Sequence, residues 1–171
     1  MRFHFFSFFH ALTKVYFSKF YYPFYSISGL TDRQIRKLEI KYFNGKAFPL
    51  CVRGFLLLAG KECPSLEFIH DGLVYDIQRI TRLVLNMKGG CIERPFLVID
   101  VGSIGKDFYF VYLDGDEDPM VFFAKLTAKK DSLQIHPLSL KLSEFIIHSL
   151  FDFILTKNLV PFKATFMKDL T

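Results

Sequence analysis

Apolar positions along this chain follow two rhythms. Ile35, Leu38 and Tyr42 recur at helical spacing, as do Val52, Phe55, Leu56 and Ala59, and again Leu73, Ile77, Ile80, Val84 and Met87. The pattern then changes. Phe96–Val101 is a continuous apolar run broken only by Asp100, and Asp107–Leu113 is apolar or aromatic on both faces. Strands of that kind are expected in the middle of a sheet covered on each side. Met120–Leu126 reads as a third strand and Leu133–His136 as a candidate fourth. From about Ser139 the helical rhythm returns through Leu142, Phe145, Ile146, Leu150, Phe153 and Ile154.

Local signals punctuate these elements. Thr31-Asp-Arg-Gln34 fits a capping box, and Asn44-Gly45 closes the same helix through a left-handed residue. Pro49 suits the first position of the second helix, which Gly60 ends. Gly54 in its middle implies close packing, since glycine costs a helix interior about 1 kcal/mol relative to Ala. Gly89-Gly90 stops the third helix, whose Arg79 and Arg82 are expected to face outward. Cys63–Asp71 reads as irregular or as a short strand. Helices, then a meander, then a helix predict an α+β fold, with an antiparallel sheet of about four to six strands and helices packed against it.

Composition adds an exceptional N-terminus. Of residues 1–25, twelve are Phe or Tyr. This aromatic extension admits three readings: a helix packed on the domain, an interfacial membrane anchor, or a targeting or partner-binding segment. No small-residue cleavage site follows it, so it does not read as a signal peptide. His10, Lys14 and Lys19 interrupt any apolar run long enough to span a bilayer. Residues 26–171 read as one domain.

Charge is unevenly placed. The net charge is +5, and residues 1–31 hold Arg2, Lys14 and Lys19 with no acid. Glu93–Asp118, by contrast, holds seven acids against Arg94 and Lys106. The first predicted helix carries Arg33, Arg36, Lys37 and Lys41, a run that reads as a solvated face or as a nucleic-acid contact.

Chemistry is sparsely signalled. Cys51, Cys63 and Cys91 show no CxxC spacing and read as buried, reduced thiols of a cytosolic protein. Asp114-Gly-Asp-Glu-Asp118 alternates carboxylates like the start of a calcium loop. Pro119 stands where that loop needs Gly, and Lys125 where it needs its closing acid. Gly102-x-x-Gly105 lacks phosphate-binding spacing, and the five histidines join no nucleophile in a recognisable motif. The expectation is therefore a protein without metal, cofactor or catalytic residues.

Three pieces together resemble the SUKH superfamily, which includes fungal cell-wall (glucan) synthesis regulators and bacterial toxin-immunity proteins. They are Phe48-Pro49 followed by Phe55-Leu56-Leu57 and Ala59-Gly60; Phe96-Leu97 through Asp100, Gly102 and Gly105 to Phe108 and Phe110; and Leu142-Ser-Glu-Phe-Ile146. Coverage runs from about Thr31 to Leu155. Ala59 replaces the family's usual Asn, and Arg53-Gly54 its acidic-aromatic pair. The resemblance implies an α+β domain that acts by binding another protein, in bacterial members a secreted toxin and often a nuclease. Nuclease surfaces are basic because they hold phosphates. Asp107, Asp114, Asp116, Glu117 and Asp118 are accordingly the expected partner-binding residues, in a cytoplasmic protein. The alternatives are a membrane-associated cell-wall-synthesis scaffold anchored through residues 1–25, and a nucleic-acid-binding domain.

Overall fold

The structure, a computed structural model, describes residues 27–63, 65–66, 74–103, 106–127 and 133–156. The aromatic extension 1–25, most of Cys63–Asp71, Leu73 and Gly105 lie outside the described residues. Those described form four helices and one four-stranded antiparallel sheet. The fold is α+β, as the order of rhythms predicts.

Helix α1 spans Asp32–Tyr42. Its start is the expected capping box. The Gln34 amide donates to Thr31 Oγ1 (3.3 Å), and the Thr31 amide donates to Gln34 Oε1 (2.8 Å). Its end is left-handed as expected, but at both residues, Asn44 at φ 52° and Gly45 at φ 76°. Helix α2 spans Leu50–Ala59 and buries Val52, Gly54, Phe55, Leu56 and Ala59. Pro49 sits one position earlier than expected, at the cap, and makes no side-chain bond there. The segment before α1 lies across the end of α2: the Leu30 amide donates to the Leu56 carbonyl (2.8 Å). Gly29 there abuts the Leu57 carbonyl so closely that no side chain fits.

Helix α3 spans Val74–Met87, but its buried residues are Val74, Gln78, Thr81 and Leu85. The predicted stripe is therefore turned by about one residue. Ile77 and Val84 are only partly buried, and Met87 is 78% exposed. The reason is that two polar residues, Gln78 and Thr81, occupy the inner face.

The sheet comprises β1 (Phe96–Ser103), β2 (Asp107–Tyr112), β3 (Met120–Leu126) and β4 (Leu133–Lys141), in that spatial order. Register places Phe96, Val98, Phe110 and Phe122 on one face and Leu97, Val111 and Val121 on the other. Rings on the first face pack edge-on between Phe96 and Phe110 (5.6 Å) and stacked between Phe110 and Phe122 (5.6 Å). Helix α4 (Leu142–Thr156) covers the second face, where Phe145 meets Tyr109. It starts later than expected because β4 runs on to Lys141, through Ser139 at φ 58°.

One strand is misplaced by its sequence. β1 is buried on both faces, yet it lies at the sheet edge rather than in the middle.

Candidate functional site

The acidic turn joins β2 to β3, and its carboxylates have distinct tasks. Asp114 receives two bonds from the Arg94 guanidinium, at 2.7 and 3.2 Å, while that guanidinium also stacks over the Tyr112 ring at 3.9 Å. The Arg94 bonds hold the Asp114 carboxyl below its ordinary pKa. Glu117 accepts from the Leu50 amide (2.6 Å), and its carbonyl accepts from the Cys51 amide (2.9 Å). It thus supplies the cap that Pro49 cannot, at the positive end of α2. Asp118 accepts from the Ser143 amide (3.1 Å) and the Ser143 hydroxyl (2.6 Å), and the Pro119 carbonyl accepts from the Leu142 amide (2.9 Å). Glu144 completes that helix start by accepting from the Lys141 amide (2.9 Å). Asp116 is exposed and has no partner among the described residues.

The fifth expected residue is not with them. Asp107 begins β2, so it stands at the far end of that strand, roughly 20 Å from the turn at about 3.3 Å per residue. There it packs against Gly102 and helps line an apolar cavity of about 50 Å³ with Ile77, Val84, Val101 and Phe108. The acid-rich stretch is thereby divided between two ends of the sheet. Glu93 and the turn lie at one, Asp100 and Asp107 at the other.

A second polar device carries no signal in the apolar pattern. Gln78, fully buried on α3, donates from Nε2 to the Val98 carbonyl (2.7 Å) and accepts at Oε1 from the Val98 amide (3.0 Å). Its side-chain amide takes the place of a fifth strand's backbone. Arg82 extends the pairing by donating to the Phe96 carbonyl (2.7 Å) and to Gln78 Oε1 (2.9 Å). Its guanidinium lies between the rings of Tyr42 and Phe96, 4.1 Å from each centroid. The expectation that Arg82 faces outward is corrected by this geometry. Burial lowers its pKa to about 10, so it is cationic at neutral pH. The pair explains how β1 can be an edge and still be covered: α3 closes the edge.

Glu39 is a third such residue, 1% exposed on α1. It accepts from the Phe48 amide (3.0 Å), from Arg36 (3.2 Å) and from Arg53, which also bonds Asp32 (2.8 Å). Burial alone would raise its pKa, but the Phe48 amide and the two arginines outweigh it and hold the carboxyl below its ordinary value.

The thiols are free. Cys51 and Cys63 are buried as expected, and burial pushes both thiols upward, with Asp118 adding to the effect on Cys51. Cys91 is exposed, against expectation, because it follows the Gly89-Gly90 helix stop in a surface connection. Among the described residues no group of three His, Cys, Asp or Glu is placed to hold a metal ion, and no helix is long and apolar enough to cross a membrane. Comparison with protein-family models, with curated proteins and with solved structures yields no match to the chain.

Proposed function

We propose that this chain is a non-catalytic protein-binding module of the immunity type, which neutralises a cognate basic toxin such as a nuclease by direct contact through its acidic turn. The observation that supports the reading best is how that turn is tied to the rest of the fold. Glu117 is bonded to the start of α2, Asp118 to the start of α4 and Asp114 to Arg94. Asp116 then stands exposed on a turn held in place by the fold, with Glu93 exposed next to Arg94 in the connection before β1. A pre-ordered epitope loses little entropy on association, and its charge steers a cationic partner toward it. Glu117 and Asp118 are committed to the two helix starts, and the contact surface is Asp116, Glu93 and the exposed part of Asp114.

The test is a titration of the full chain with the product of the neighbouring open reading frame. Asp116→Lys and Glu93→Lys leave every described hydrogen bond in place, and together they are expected to weaken binding at least tenfold. The wild-type affinity should fall as salt rises. Affinity that ignores both the substitutions and the salt would remove the turn from the interface.

A further inference from the structure

The solvent face of α1 is chemically one-sided. At about 100° per residue, Arg33, Arg36, Lys37, Ile40 and Lys41 fall within roughly 140° of arc, opposite the buried Ile35 and Leu38. All five are exposed. No acid shares the face. Asp32 is turned to Arg53, and Glu39 is buried among its three donors. Arg36 is tied to Glu39 and to the Gly45 carbonyl, whereas Arg33, Lys37 and Lys41 have no carboxylate in ion-pair range among the described residues. Near the centre of these cations stands Ile40, 59% exposed.

A cationic face with a hydrocarbon at its middle matches a surface that is charged outside and apolar beneath. We propose that α1 docks on an anionic phospholipid surface, with Arg33, Lys37 and Lys41 on the headgroups and Ile40 entering the boundary between headgroups and acyl chains. The chain leading into α1 has matching chemistry: residues 1–31 hold three cations, no acid and twelve aromatic residues in their first 25. Tyr and Phe beside basic residues favour the same interface. Nucleic acid would match the charge, but it offers Ile40 nothing on the phosphate backbone.

The experiment is sedimentation of the full chain with phosphatidylcholine vesicles, with and without phosphatidylserine. The chain should pellet with the anionic vesicles. Each cation near such a surface is worth about fivefold in affinity, so replacing Arg33, Lys37 and Lys41 by Ser should weaken binding about a hundredfold. Ile40→Ser alone should weaken it about tenfold, a loss that charge does not explain. All four side chains are exposed, so far-ultraviolet dichroism should keep its native shape, and the urea midpoint should fall only by the small cost of Ser in a helix and of the Lys41–Tyr42 contact. Equal pelleting of the triple variant and the parent would overturn the proposal. So would binding to a DNA duplex or single-stranded RNA in place of vesicles. The vesicle assay contains no protein partner, so its outcome is independent of the toxin-binding reading.

Discussion

The acidic turn and the Gln78–Arg82 clamp solve one problem at two kinds of chain end. Helix starts leave amides without partners, and a sheet edge leaves both amides and carbonyls without them. At the turn the partners are carboxylates on an exposed loop, reaching Leu50 and Ser143. At the clamp they are a buried neutral amide and a half-buried guanidinium, reaching Val98 and Phe96. Water can replace a lost carboxylate at the turn but not a lost amide at the clamp. The two regions should therefore differ in how much each residue contributes and in how each responds to pH.

The largest expected effect is at the clamp. Gln78→Leu keeps the volume but leaves the Val98 amide and carbonyl without partners, at about 1–3 kcal/mol for each group. A urea midpoint shift equivalent to about 3–5 kcal/mol is expected. A loss below about 1 kcal/mol would mean that the edge opens to solvent and that the clamp is no more than another cap. Arg82→Met should cost about 2–3 kcal/mol, from the Phe96 carbonyl left unpaired and the lost stacking between Tyr42 and Phe96. Thermal unfolding measures it.

The turn comes next in size. Glu117→Ala and Asp118→Ala each remove one helix cap and should cost about 1 kcal/mol. A double variant close to the sum would show that α2 and α4 are capped independently. The smallest effect separates the regions by pH. Arg94 holds the Asp114 carboxyl below its ordinary value, so the pair adds stability above the unfolded carboxylate's pKa and loses it as pH falls through the depressed one. Asp114→Asn should flatten the acid limb of the stability curve by under about 1 kcal/mol, as befits a partly exposed pair. Gln78→Leu should lower the same curve without changing its slope, because the clamp has no group that titrates in acid. Glu39 titrates in the same direction as Asp114 and is common to both variants, so the difference between the two curves isolates the turn.

What the sequence shows of this molecule is its local part. Thr31 and Gln34 stand three residues apart, and Asn44-Gly45 is a turn in itself, so both are readable before any fold is known. The meander is readable because its strands are consecutive. Counting apolar residues alone fails on α3, where the inner face includes Gln78 and Thr81 and the apolar stripe points partly into solvent. The same counting puts β1 in mid-sheet, since a helix covering an edge leaves the same apolar record as a neighbouring strand. Sequence proximity groups Asp107 with the turn, and a six-residue strand converts that proximity into distance. The charges of Asp114–Asp118 are legible, but their partners are not. Nothing in those five residues indicates a helix that begins 67 positions upstream.

That separation bears on the order of folding. Helix α2 has no side-chain cap of its own, and the residue that provides one belongs to the β2–β3 hairpin. Its first turn gains that cap only when a hairpin made later in the chain has closed, so the start of α2 is expected to fray until the sheet exists. In native-state hydrogen exchange, the Leu50 and Cys51 amides should exchange with the hairpin as one cooperative unit, and not with the loose ends of helices.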